Sequence, residues 1–142
     1  MIIRFDMKGS YILIVEIKSD LIISFGKKGE KQFEKGYYIY VGSALSGLDQ
    51  RIQRHLRKQK KLHWHIDYLL EHAIIIAVFF KEGKFREECN IAKKLDGQLL
   101  LISGFGCTDC QCKSHLFYGS FDDVMSAVEK LKMNSYHFDE NY

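Results

Sequence analysis

Two tyrosine–glycine pairs, an arginine and a histidine one helical turn apart, and a glutamate far downstream are the residues best suited to chemistry in this chain. Gly9-Ser10-Tyr11 opens one apolar run, and Tyr40-Val41-Gly42 closes another. Arg51 and His55 stand at i and i+4, which puts both side chains on one face of a helix. Arg51 offers a planar, permanently charged fork for a phosphate. Glu88 offers a hard oxygen ligand for Mg²⁺ (or Mn²⁺); Mg²⁺ takes one or two carboxylates and keeps several waters. Hydrolysis of a phosphodiester needs positive charge on the non-bridging oxygens, an activated water and help for the leaving oxygen. Each residue alone has an ordinary explanation. Strand tyrosines mostly pack with a satisfied hydroxyl, and arginine, histidine and glutamate are common on solvated helix faces. Agreement of all of them, in order and on suitable elements, points to a phosphate-binding site.

Charge is just as unevenly placed. The net charge is +3, but residues 51–61 contain Arg51, Arg54, Arg57, Lys58, Lys60 and Lys61 and no acid. That strip alone is +6, and the rest of the chain is −3. Basic helix faces are commonly only solvated, yet a solubilising face usually carries Glu–Lys pairs at i,i+4. A basic helix without acids is expected to bind phosphate backbone without reading sequence, through Arg54, Arg57, Lys58 and Lys61.

The elements that must position these residues can be read from periodicity. Residues 10–17 (SYILIVEI), 21–25 (LIISF) and 37–41 (YYIYV) are β-branched and aromatic runs separated by polar turns, which predicts an antiparallel meander. Leu48, Ile52 and Leu56 recur every four residues, the stripe of a surface helix. A second helix is expected over 64–71, a buried central strand over 73–80 (AIIIAVFF), a helix over 85–95 and strands at 98–103 and 116–118. Ser120 caps a last helix whose first turn holds Asp122 and Asp123. The expected fold is α/β (α+β): one domain over 1–142 with a small mixed or antiparallel central sheet flanked by helices. Its core spans about 9–118, with a C-terminal helix and tail at 120–142. No repeat, linker or low-complexity segment interrupts it.

Two histidine-bearing clusters compete for metals. Cys107, Cys110, Cys112 and His115 are zinc-type ligands, and the first two have knuckle spacing. A site recruiting Cys89 or His63, or simply reduced thiols in a glycine-rich loop, fits these residues as well. His63, His65 and Asp67 share a face only in an extended chain. With a helix starting near Trp64, Trp64 is expected in the core and Asp67 as a first-turn acid or helix-positioning acceptor. The longest apolar run, eight residues, is far short of the roughly 20 a membrane helix needs. The N-terminal MIIRFDMKGS is broken by an acid where a secretory signal stays apolar, so a cytoplasmic, reducing environment is expected.

The string YIYVGSALSGLDQRIQRH from Tyr38, together with Gly9-Ser10-Tyr11 and Glu88, resembles the GIY-YIG nuclease superfamily. More narrowly, HWHIDYLL, Glu88-Cys89 and GFG…DCQCKSHLFY are similar to the branch of it known as domain of unknown function 123, which is sometimes fused to a DNA-repair glycosylase. The resemblance covers about 9–118. It implies a GIY-YIG-like fold and a metal-dependent endonuclease acting on DNA, branched or damaged rather than of one sequence. It also implies that Tyr11 activates the attacking water, that Tyr40 and His55 assist, that Arg51 holds the phosphate and that Glu88 holds Mg²⁺. Tyr11 needs a cation nearby to lower its pKa; Lys27 or Lys28 serves if the intervening hairpin folds back. The sequence departs from the superfamily pattern at Ser10, in the 28 residues between Tyr11 and Tyr40, and in having no terminal Asn-Pro. The alternative is a non-catalytic nucleic-acid-binding module of the same fold, zinc-stabilised or not, that recruits a DNA-repair enzyme.

Overall fold

Every residue of β1 (Gly9–Ile17) except Glu16 is buried. A strand buried on both sides must sit inside a sheet that is covered on both faces. The computed structural model, which describes residues 3–4, 6–105 and 114–139, has that arrangement. β1 pairs on one side with β4 (Gly36–Ala44) and on the other with β5 (Ile74–Glu82). Outside β4 lie β7 (Leu116–Gly119) and β6 (Leu100–Leu101), and outside β5 lies β8 (Asn134–Tyr136). All neighbours in this six-stranded sheet are antiparallel.

Alternation along β1 and β4 sorts the layers. Tyr11, Leu13, Val15 and Ile17, with Tyr38 and Tyr40, pack against α1 (Leu48–Leu56), α2 (His65–Leu70) and a separate hairpin. Ile12 and Ile14, with Ile39 and Val41, pack against α3 (Glu88–Leu95) and α4 (Phe121–Leu131). The α1 stripe of Leu48, Ile52 and Leu56 is buried as its spacing predicts, and Ser120 Oγ accepts from Asp123 N at 3.1 Å to cap α4.

Five expectations change. The meander does not form: β2 (Leu21–Ser24) and β3 (Glu30–Phe33) pair only with each other. That hairpin leaves the sheet and lays Ile23, Phe25 and Phe33 over its α1 face, so β1 meets β4 directly. The apolar run at 73–80 is not buried throughout. β8 covers only Val78–Phe80, and Ile74 at the start of β5 is exposed. α3 begins at Glu88 rather than 85, and the strand at 98–103 shrinks to β6. Finally, the basic strip is not one helix. α1 stops at Leu56, and Lys60 Nζ reaches back to the carbonyls of His55 (2.8 Å) and Arg57 (2.7 Å), satisfying acceptors at the helix end with a cation. The short β8 has no sequence signal of its own. It matters because the Tyr136 hydroxyl donates to Asp49 Oδ1 at 2.6 Å and so ties α1 to the sheet.

Candidate active site

Tyr11 faces Gly42 across the β1–β4 pair, and its ring lies over the glycine. A Cβ at Gly42 would stand 2.5 Å from both the Tyr11 Cζ and its hydroxyl, which is why glycine follows Tyr40-Val41 in this strand. The fixed ring sends its hydroxyl to His55 Nε2 at 2.6 Å. On α1, Arg51 and His55 each precede a buried stripe residue, so packing of the stripe aims both at this end of the sheet. Tyr40, on the same sheet face, packs its ring edge-on to His55 with centroids 6.1 Å apart.

Glu88 arrives from the other face. Its carboxylate accepts from Ser43 Oγ, Ser43 pairs with Ser10 Oγ at 3.0 Å, and Ser10 Oγ accepts from Glu87 N at 3.3 Å. Ser10 is thus a fully buried link between β1 and the start of α3. The Ser43 carbonyl also accepts from Arg51 Nη1 at 3.2 Å. One residue at the end of β4 therefore touches both the carboxylate and the guanidinium.

Tyr11, Tyr40, Arg51 and Glu88 line a single cleft of about 680 Å³ at this end of the β1–β4 pair. Its other walls include Lys28 of the hairpin, His63, Trp64 and His65 at the start of α2, Arg86 and His115. Sequence reasoning missed Ser43 and Arg86, which have no motif of their own, and weighed His63 and His65 only as metal ligands. Trp64, expected as core, is half-buried; the guanidinium carbons of Arg51 and Arg54 lie 4.5 and 4.4 Å from its ring centroid. His55 stands behind the cleft wall.

Burial sets the protonation states. It raises the Tyr11 pKa well above the ordinary value, the neighbouring Tyr40 adding to the rise and Arg51 opposing it. Tyr40 is also raised by burial, again against Arg51. Burial pushes His55 down to about 3, with Asp67 opposing and Lys60, Arg51 and Arg54 adding, so the imidazole is neutral. Its Nδ1 is buried with no hydrogen-bond partner among the described residues.

The basic strip divides. Arg54 is committed inside the protein: it makes two bonds to Asp67, at 2.8 and 3.0 Å, and one to the Lys61 carbonyl at 2.8 Å. Asp67 also accepts from the amides of His63 (2.8 Å) and Trp64 (2.9 Å), which starts α2. The acid missing from the strip is supplied by α2. Arg57, Lys58 and Lys61 are exposed beyond the end of α1. Of the proposed zinc ligands, Cys107, Cys110 and Cys112 lie outside the described residues, and His115 is in the cleft. Among the described residues no group of three or more His, Cys, Asp or Glu is placed to hold a metal. No helix among them is long and apolar enough to cross a membrane.

A family model described as Domain of unknown function DUF123 matches residues 10–136, a span that contains Tyr11, Tyr40, Arg51, His55 and Glu88. No match is found among curated proteins or among solved structures. With most of its length matched, the chain belongs to the DUF123 family.

Proposed function

We propose that the cleft is the phosphodiester site of a metal-dependent, GIY-YIG-type endonuclease that acts on DNA by structure rather than sequence. One observation carries this reading: Tyr11, Tyr40, Arg51 and Glu88, from β1, β4, α1 and α3, line one cleft. Arg51 holds the non-bridging oxygens of the scissile phosphate, oriented by the Ser43 carbonyl and the Trp64 ring. Glu88 is the one carboxylate among the described cleft residues, a donor set that fits Mg²⁺ or Mn²⁺ held largely by water and phosphate oxygens. When bound, such an ion supplies Lewis-acid stabilisation of the phosphate charge and a more acidic water. With the Nδ1–H tautomer of His55, Nε2 accepts a hydrogen bond from the Tyr11 hydroxyl and leaves the hydroxyl lone pairs to orient a water in the cleft. An imidazole at about 3 is too weak a base to keep that proton, so His55 orients Tyr11 rather than deprotonating it. Arg57, Lys58 and Lys61 are free of the Asp67 pairing that holds Arg54 and are the better candidates for backbone phosphates.

The test is incubation with branched, flapped and linear DNAs in Mg²⁺ or Mn²⁺. Cleavage that is lost in Arg51→Ala and in Glu88→Gln supports the reading. Salt-sensitive binding with no cleavage of any substrate leaves the second one, a non-catalytic DNA-binding module, which the raised pKa values of Tyr11 and Tyr40 favour.

A further inference from the structure

Between β5 and α3 the chain makes a short loop whose tip the cleft alone does not explain. Phe85 is 79% exposed, the most exposed large hydrophobic side chain among the described residues. Single exposed apolar residues are ordinary, so the setting decides. The loop is pinned at both ends: Gly83 N donates to the Lys8 carbonyl at 2.9 Å, and Glu87 N donates to Ser10 Oγ. Lys81 Nζ and Glu87 Oε1 close its base at 3.3 Å. Lys84, Phe85 and Arg86 project from these anchors, all three exposed. Arg86 lines the cleft beside Tyr11, Tyr40, Arg51 and Glu88, and Glu88 is only three residues beyond Phe85.

An aromatic side chain exposed to water between two exposed cations, one of which lines the cleft, suits a surface of stacked bases bordered by phosphates. We propose that Phe85 is a wedge that inserts at an unstacked base step of DNA bound in the cleft, with Lys84 and Arg86 holding the flanking phosphates. The inference rests on the nuclease reading and names how that site chooses its substrate. Opening a base step costs least where stacking is already interrupted, at a branch, a mismatch or a damaged base. A wedge therefore selects DNA by its structure while reading no base edge. It needs the residue exposed before binding, and the pinned loop keeps it so.

The experiment uses the full chain with Ca²⁺ in place of Mg²⁺, a four-way junction and a linear duplex, each with 2-aminopurine at its central step. The wild type is expected to raise 2-aminopurine fluorescence on the junction. Phe85→Ala should abolish that rise and weaken junction binding roughly tenfold, the loss of one base–aromatic stack, with little change for the duplex. Phe85→Trp should retain both. Lys84→Ala should weaken binding to both DNAs alike and flatten the salt dependence. Equal fluorescence and equal junction preference in wild type and Phe85→Ala would overturn the wedge and leave the nuclease reading standing. A wild type that binds neither DNA would overturn the nuclease reading, and the wedge with it.

Discussion

Replacing Gly42 with alanine isolates the contact on which the Tyr11–His55 arrangement depends. Gly42 is not in the left-handed region, so its backbone accepts alanine, and the cost falls on the facing ring. The added methyl would lie 2.5 Å from Cζ and from the hydroxyl of Tyr11 and 2.9 Å from Cε1. Tyr11 is 1% exposed and cannot swing into solvent without vacating the core. Overpacking of this kind costs about 1–3 kcal/mol, and a displaced hydroxyl gives up its bond to His55, worth about 1 kcal/mol. The sum is roughly 2–4 kcal/mol. With a urea slope of about 2 kcal/mol/M, the middle of the usual range, the midpoint should fall by roughly 1–2 M. The assay is urea unfolding followed by far-UV circular dichroism. The Tyr11→Phe background sharpens it: without the hydroxyl one of the two shortest contacts disappears, so Gly42→Ala should cost at least about 0.5 kcal/mol less there. Cleavage, if the site is catalytic, should fall about a hundredfold from misplacement of the tyrosine. A Gly42→Ala protein within about 0.5 kcal/mol of wild type, or strict additivity with Tyr11→Phe, would refute the reasoning.

Other consequences are open to measurement. His55 has a folded pKa of about 3 against an ordinary 6.5, so the unfolded chain takes up its proton first as pH falls. Stability should therefore decline from about pH 6.5 downward, and between pH 7 and pH 4 wild type should lose about 3 kcal/mol more than His55→Gln in denaturant titrations; equal losses would contradict a neutral buried imidazole. Asp67→Asn leaves Arg54 half-buried without its partner and should cost about 3–5 kcal/mol, read from the same titrations. A change under about 1 kcal/mol would mean that the pair behaves as an exposed one. Ser43→Ala removes the hydroxyl that holds the Glu88 carboxylate. It should raise the Mg²⁺ concentration for half-maximal cleavage roughly tenfold while leaving DNA affinity in Ca²⁺ unchanged; an unchanged Mg²⁺ titration would show that Ser43 does not orient the carboxylate.

Several features were legible because they reside in short windows. The apolar stripe of α1, recurring every four residues, the Ser120 cap with its acids, and the alternating runs of β1 and β4 are signals of local periodicity and capping chemistry. Helix boundaries were less legible. α1 ends at Leu56 although the residues after it are good helix formers, because Lys60 folds back onto its last carbonyls, a choice made in three dimensions. The hairpin's excursion was illegible for a similar reason. The run 21–25 is apolar and β-branched enough to extend a meander, but Phe25 and Phe33 find aromatic partners at Tyr38, His65 and Phe105, tens of residues away in several cases.

What the amino-acid order determined by itself was an inventory: two Tyr–Gly motifs on strands, an arginine and a histidine on one helix face, one distant glutamate and a concentrated basic strip. Only the tertiary structure decided how these are used. It set the β1–β4 register that lays Tyr11 over Gly42, turned Ser43 toward Glu88, and brought Asp67 to Arg54, removing that cation from the free strip. The physical reason is reach. Propensity and periodicity act over a few residues, whereas register, buried ion pairs and exposure are settled by whichever distant groups pack into the same space.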